Sequence, residues 1–484
     1  MKIKFILPAL LEASHPFWRP IKYSLFPPLG LATLAAYLNP EDEASIVDEH
    51  VEKLNWHDEP DIVAIEVYIT NAYRAYEIAD HYRNKGVFVI LGGVHITSLP
   101  QEAAPHADVI FTGPAEESFP RFLQDWRKGR WEKVYQSRER TLATLPSLRR
   151  DLIKRHLYLV PNSIVVSRGC PHHCSFCYKD DFYKNGKSFY TWPLEQALED
   201  IESLPDKHLY FLDDHLFGHP AYIKQLFEEI KSQKRVFQGA TTVASILKGE
   251  TVEIAAEAGL KSLFIGFETL QKENLTATGK RHNQVYQYQE AIRRLHDLGI
   301  LINGSFVFGL DHDDPDVFSR TVDWAVKMGI TTATFHILTP YPGTPLFYQL
   351  RNQNRIKTMN WNLYNTREVV FVPKNMSHRQ LLEGYGSAYR EFYQWKNIWN
   401  AAANQTSWQQ QLKHLAFAGA WKKMEPIWNF LIKVHMLSPL RPLMEETLND
   451  RRRQSADSRS FKNKKENNQI FNSYEKSYAI DKIG

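Results

Sequence analysis

Short apolar runs alternating with amphipathic stretches organise the first third of the chain. "KIKFILPAL" reads as a buried strand, "PLGLATLAAYL" as a helix begun after Pro27 and Pro28, and "ASIVDEH" as a second strand. "DIVAIEVYI" is a third strand, "AYRAYEIADHYRNKG" a helix closed by Gly86, "VFVILGGVH" a fourth strand and "ADVIFTG" a fifth. This alternation predicts a parallel sheet covered on both faces. Such sheets take ligands beyond the carboxyl ends of their strands. Gly92, Gly93 and Gly113 fall at those ends, where a missing side chain lets the backbone approach a bulky ligand.

Residues 118 to 160 hold one helix, "FPRFLQDWRKG", and then an irregular connector that serves as the domain boundary. A second alternating series begins at "NSIVVSRGC" and continues through "HLYFLDD", "QGATTVAS", "SLFIGFET", "LINGSFVFG" and "TATFHILTP", with helical stretches between. Six units predict a partial β/α barrel rather than a closed eight-fold one, with its reactive groups at the carboxyl ends of the strands. Polar residues gather there: Cys170 after the first strand, Asp213 and Asp214 after the second, Thr241 and Thr242 in the third, and Glu268 closing the fourth. Ser305 lies in the fifth, and Thr339 and Tyr341 follow the sixth.

Beyond "TPYPGTPLFYQL" the chain turns helical and rich in tryptophan, a segment expected to cap the barrel mouth or pack across its outside. Peripheral membrane contact by "WKKMEPIWNFLIKVHMLSPLRPL" is its second reading. The 484 residues are 43% apolar, enough for several cores, and no stretch is long and apolar enough to span a bilayer. The formal charge of +4 does not indicate nucleic acid once it is located. Residues 451 to 484 carry nine Lys or Arg against four acids, which leaves the body at −1. That tail is expected to be disordered, and no recognition helix or basic aromatic groove marks the body. The interrupted N-terminal apolar run predicts a cytoplasmic start rather than a signal peptide.

All three cysteines lie in "SRGCPHHCSFCYKDDFY", as Cys170, Cys174 and Cys177 in the pattern CxxxCxxC. So few cysteines exclude a disulfide framework and point to metal or redox chemistry in a reducing compartment. A zinc site would have to recruit His172 or His173 from the same cramped loop. A cubane cluster with three protein thiolates keeps one iron open, and a molecule chelating through an amine and a carboxylate fits that vacancy.

CxxxCxxC with Phe176 directly before the last cysteine, after a barrel strand and before a helix, resembles the radical S-adenosylmethionine (SAM) superfamily. "SLFPPLGLATLAAYL", "VILGGVHITSLPQEAA" and "ADVIFTGPAEES" ahead of that loop resemble the cobalamin-binding domain of its cobalamin-dependent branch. That branch includes methylases of bacteriochlorophyll and hopanoid synthesis and the anaerobic magnesium-protoporphyrin ester cyclase. The likeness covers about the first 400 residues and includes "YFLDDHLF", "FIGFETL", "GSFVFGL" and "TPYPGTPLF". It implies an α/β protein: a Rossmann-like cobalamin-binding domain at 1–140, a partial radical SAM barrel at 155–350, a helical region at 351–450 and the polar tail at 451–484. "DEHVEK" at 48–53 lacks the glycine of the cobalt-ligating DxHxxG motif and follows the wrong strand, so His50 is expected to be a loop residue. "GPAEE" replaces the branch's GEGE turn, leaving the roles of Glu116 and Glu117 open.

The resemblance implies a [4Fe-4S] cluster on Cys170, Cys174 and Cys177, with SAM and cobalamin as further cofactors. Phe176, Asp213 and Glu268 are the SAM-side candidates. Their alternatives are a core aromatic for Phe176, a helix cap for one of Asp213 and Asp214, and a barrel salt bridge for Glu268. Pro28, Leu29, Gly30, Tyr68, Thr70, Gly92, Gly93, His95 and Gly113 are the cobalamin-side candidates, and His336 and Tyr341 the substrate-side ones. The expected activity is methylation of an unactivated carbon in a small, possibly apolar, molecule, through a 5'-deoxyadenosyl radical and methylcobalamin. The electron would come from a flavodoxin- or ferredoxin-type donor. Cobalamin-dependent cyclisation or rearrangement without methyl transfer is the rival enzyme class, and a non-catalytic redox sensor the third.

Overall fold

The computed structural model describes residues 1–11, 13, 24–138, 140–143, 145–423 and 448. The basic tail, and residues 424–443 of the stretch read as a membrane contact, lie outside the described residues. The first sheet contains β1 (Lys2–Leu7), β2 (Glu43–Asp48), β3 (Ile62–Glu66), β4 (Phe88–Gly92), β5 (Val109–Thr112) and β6 (Val134–Gln136). All its pairings are parallel, in the order β2-β1-β3-β4-β5-β6. The chain therefore reverses direction across the sheet at β1 and β3, and a crevice opens at their carboxyl ends. Apolar side chains cover both faces: helix Ala72–Asn84 on one, helices Leu29–Ala35 and Ser118–Arg127 on the other. The edge strand β6 had read as connector, because three residues are too few to show alternation.

The second sheet contains β7 (Ser163–Ile164), then, after a hairpin of β8 (Ser167–Gly169) and β9 (Phe189–Thr191), β10 (His208–Phe211), β11 (Val236–Thr241), β12 (Leu260–Glu268), β13 (Leu301–Phe308) and β14 (Thr332–Ile337). Its order, β14-β13-β12-β11-β10-β7, is that of an open six-stranded parallel barrel. "NSIVVSRGC" is not one strand. The Asp213 carboxylate accepts from the backbone N–H of Val166 at 3.3 Å and of Ser167 at 2.5 Å, and from the Ser167 hydroxyl. Those bonds draw the chain out of the barrel sheet and into the antiparallel hairpin β8–β9, so Cys170 follows the hairpin and not the barrel strand itself.

The helical region does not cap the barrel mouth. Helix His378–Phe392 lies along the exposed edge of β14, where the Tyr393 hydroxyl accepts from Ala333 N at 3.1 Å and donates to Ala333 O at 3.0 Å. Tyr389 does the same for Phe335 at 3.1 and 3.2 Å. Four residues of helix rise about 6.0 Å, and two residues of strand about 6.6 Å, so the two hydroxyls match alternate edge residues. Helices Trp395–Ala403 and Trp408–Lys423 continue to the amino pole of the barrel. There the Gln405 side chain donates to Gly329 O at 3.0 Å, just ahead of β14, and Phe417 packs with Val236 and Leu301 at the starts of β11 and β13.

Candidate active site

The two domains meet with the carboxyl ends of their strands facing each other. Arg168 of β8 pairs with Glu116, beyond β5, at 3.0 Å, and the Ser98 hydroxyl donates to Asp181 at 2.7 Å. Phe26 lies against Tyr210 of β10 with ring centroids 4.6 Å apart. In the GPAEE turn Glu116 thus grips the barrel side of the boundary by holding the hairpin, while Glu117 accepts from Arg138 N, just past β6 of its own domain, at 2.8 Å. Between these contacts stands Tyr68, 42% exposed although Tyr178 and Arg168 of the other domain lie close enough to act on its phenol. Its exposed surface therefore opens into the space between the domains.

The cysteine loop is pinned from two later barrel units. Ser175 N donates to Thr278 O at 2.9 Å, Leu346 N to Ser175 O at 3.0 Å, and Cys170 N to Ser188 O of the hairpin at 3.0 Å. Burial pushes all three thiols up, that of Cys174 to about 12, with the Lys280 ammonium pulling the other way at Cys170 and Cys174 and that of Lys179 at Cys170 and Cys177. Among the described residues no three His, Cys, Asp or Glu converge on one point as a single metal ion requires. The histidines of a zinc reading are engaged elsewhere: His173 bonds Asp180 at 2.9 Å, and His172 stacks on His282 with centroids 3.5 Å apart. Three thiols spread along a loop suit a cluster whose irons occupy separate corners.

Glu268 closes β12 with a φ of +65°, and its carboxylate pairs with Lys280, which also donates to Gly266 O at 2.9 Å. A β-carbon on Gly266 would stand 2.4 Å from Glu268 Oε1, so the glycine makes room for the pair. Both charges act on Cys174, so the ion pair stands beside the loop. Phe176 is half-buried against the barrel core. Asp213 is fully committed to the hairpin, as described above, and burial raises its carboxyl to about 7. The structure thus corrects its SAM-side assignment: its neighbour Asp214 is the carboxylate at the loop, paired with Lys179 at 2.7 Å.

Sequence reasoning missed His215 and His282, and weighed His172 only as a zinc ligand. His172, His215 and His282 gather at the barrel's carboxyl end, with His172 and His215 centroids 5.4 Å apart. His215 Nδ1, His282 Nε2 and Thr241 Oγ1 are buried with no hydrogen-bond partner among the described residues. Unpaired buried polar atoms are costly, and three at the carboxyl end of the barrel suit a polar ligand such as SAM. The available signal for His215 was position, since it follows closely on β10, whereas His282 lies beyond the helix Lys272–Ala277 that follows β12.

On the cobalamin side, Tyr68 donates to Glu66 at 3.1 Å, and a β-carbon on Gly30 would stand 3.5 Å from that carboxylate. Burial raises the carboxyl of Glu66, whose charge in turn raises the Tyr68 phenol. Pro28, Gly30 and Thr70 lie half-buried beside the crevice, with Gly92 and Gly93 at the end of β4. Gly113, after β5, is buried 3.4 Å from Phe182 O on the barrel side, measured from where its β-carbon would be. The open crevice, the small residues on its rim and the exposed phenol suit a broad flat macrocycle. Two candidates turn away from it: Leu29 is buried in the domain core, and His95 is fully buried with Nε2 on Glu102 at 3.0 Å and its ring against Trp361. His50 bonds Asp48 through Nδ1 at 2.8 Å and accepts from Leu10 N at 3.3 Å through Nε2, so both ring nitrogens serve the fold. On the substrate side, His336 bonds the Thr366 hydroxyl at 3.2 Å. Tyr341 stands edge-on to Tyr178, 6.4 Å away, beside Cys177.

Fold and site together define a two-domain radical enzyme, with an iron–sulfur barrel facing a macrocycle-binding sheet. The radical SAM superfamily model matches residues 164–343, and the B12 binding domain model matches residues 23–123. Among curated proteins, bacteriochlorophyllide d C-12(1)-methyltransferase of Chlorobaculum tepidum is 30% identical over 346 residues, covering 69% of this chain and 75% of that protein. The C-8(2)-methyltransferase of the same organism is 29% identical, covering 76% and 86%. Two solved structures share the fold. The cobalamin-dependent SAM radical enzyme OxsB with aqua-cobalamin bound has a TM-score of 0.64 at 16% identity, over 89% of this chain and 72% of that one. The radical SAM methyltransferase TsrM of Kitasatospora setae, with tryptophan substrate and a SAM analogue bound, has a TM-score of 0.60 at 16% identity, over 73% and 76%. The chain belongs to the cobalamin-dependent radical SAM enzymes. Its cofactors are a [4Fe-4S] cluster, SAM and cobalamin.

Proposed function

We propose that the protein transfers a methyl group to an unactivated carbon of a small, largely apolar metabolite. The observation that carries this reading is the facing of the two strand-end surfaces, which gives the cysteine loop and the cobalamin crevice one shared space. The similarity to two methyltransferases over most of their length supports methyl transfer as the outcome. When bound, the cofactors supply a carbon radical able to remove hydrogen from an unactivated position and a methyl group to replace it.

The chain's residues prepare that space. Cys170, Cys174 and Cys177 hold the cluster, and the unpartnered His215, His282 and Thr241 atoms with the Glu268–Lys280 pair hold SAM. Tyr68, Tyr178 and Tyr341 wall the space with aromatic surface and keep water from a reactive radical. The Glu66 charge at Tyr68, and burial at Tyr178 and Tyr341, hold their phenols protonated at neutral pH, that of Tyr341 rising to about 12. A flavodoxin- or ferredoxin-type protein in a reducing cytoplasm supplies the electron. Among the described residues no helix is long and apolar enough to cross a membrane.

The test is anaerobic, with iron, sulfide and cobalamin reconstituted and SAM carrying a labelled methyl. Wild type is expected to form 5'-deoxyadenosine and to move the label to the corrinoid, whereas Cys174→Ala loses the first and keeps the second. Deoxyadenosine without label on the corrinoid would move the assignment to cyclisation or rearrangement. Absence of deoxyadenosine would leave a redox sensor.

A further inference from the structure

The amino pole of the barrel carries an apolar surface that catalysis does not use. On helix Trp395–Ala403 the exposed residues include Trp395, Trp399 and Ala403, spaced four apart on one side. On helix Trp408–Lys423 they include Trp408, Leu412 and Ala416 at the same spacing. The large side chains are 52% exposed at Trp395, 60% at Trp399, 64% at Trp408 and 54% at Leu412. The stripes belong to one helix pair: a β-carbon on Gly419 would lie 3.3 Å from the Trp395 ring, and Lys423 Nζ stands 5.8 Å over it. Contiguous exposed apolar surface marks an interaction site.

The charge of this segment selects the partner. Residues 395 to 423 contain Lys396, Lys413, Lys422 and Lys423 and not one Asp or Glu. Tryptophan prefers the level of lipid headgroups, and lysines beside it are drawn to an anionic leaflet. We infer that this pole is a docking surface for an anionic lipid bilayer. The cysteine loop and the cobalamin crevice lie at the strands' opposite ends, so the docked enzyme keeps its cleft toward water.

The test uses full-length, cofactor-loaded protein and phosphatidylcholine vesicles with and without about 30% phosphatidylserine. The protein is expected to sediment with the anionic vesicles, its tryptophan emission shifting to the blue and being quenched by brominated lipid. Trp399→Ser with Trp408→Ser is expected to weaken binding about tenfold or more, and Lys396→Gln about fivefold, the worth of one lysine near such a surface. Circular dichroism and deoxyadenosine formation stay unchanged in these variants, which lie far from the cleft. Failure to sediment overturns the inference. So does binding that survives the tryptophan changes but is lost when Arg451, Arg452 and Arg453 become Gln, which would place the contact in the tail. A wild-type dimer that becomes monomeric in Trp399→Ser with Trp408→Ser also overturns it, because the occupant is then a second copy of the chain.

Discussion

Gly169 has a φ of +79°, and a β-carbon there would stand 1.9 Å from Ser188 O, the carbonyl that receives Cys170 N. Gly169→Ala must therefore part the hairpin beside the first thiol. The expected outcome is loss of iron and sulfide on reconstitution with cobalamin uptake retained, read by metal analysis and corrin absorbance. At Gly93, φ is +113° and a β-carbon would meet Val67 O at 2.7 Å. Gly93→Ala is expected to lose about 1–3 kcal/mol of stability, seen as a lower urea midpoint, and to weaken cobalamin retention. His208 and His414 are buried, and burial lowers the titration of His208 to about 4 and of His414 to about 3. Both stay neutral in the fold while the unfolded chain takes up protons near pH 6.5. Their stabilisation is full above that pH and is lost as pH falls toward 4. Urea midpoints measured from pH 7.5 down to 4.5 should fall, and His208→Gln should flatten the slope by up to one proton. At this scale the gathering of all three thiols in one loop was legible in the sequence, from their spacing together with the barrel strands around them. The commitment of Asp213 to the hairpin was not, because it depends on a break between β7 and β8 within an unbroken apolar run.

The elements were the most readable layer, since strand and helix periods are written in the order of residues. All five expected strands of the first sheet and all six barrel strands are present. The reading failed where an element is defined by a distant partner: β6 has three residues, and β8 exists only through β9. The helix His378–Phe392 also takes its place from a distant element, through two hydroxyls aimed at an edge strand. Tyr389→Phe with Tyr393→Phe leaves N–H and C=O groups of Ala333 and Phe335 without those partners. Each loss is expected to cost about 1–3 kcal/mol. The double variant should show a lower thermal midpoint and faster aggregation, because an unpaired edge invites strand addition.

Sequence could place two domains in order along the chain, but not which ends of their strands would meet. Arg168–Glu116, Ser98–Asp181 and Phe26–Tyr210 join residues far apart in the chain, and no local pattern announces them. Arg168→Met leaves Glu116 largely buried without its cation, which should cost about 3 kcal/mol. Limited proteolysis should then cut the connector near residue 140 sooner, and cobalamin should leak on gel filtration. Of the two places expected for the aromatic C-terminal segment, the barrel mouth or the barrel's outside, it takes the second, covering the opposite pole and the β14 edge. That edge is sealed by tyrosine tips and not by a seventh strand. A strand would send every second side chain into the lumen, whereas a hydroxyl quenches one N–H and one C=O from outside. The seal spends none of the barrel's interior cross-section, so its full bore remains for cofactor and substrate. The helix and strand repeats drift by about 0.6 Å per rung, and at the next rung Ile337 N turns to Thr366 O at 2.8 Å. Two rungs are as far as this gearing runs in step.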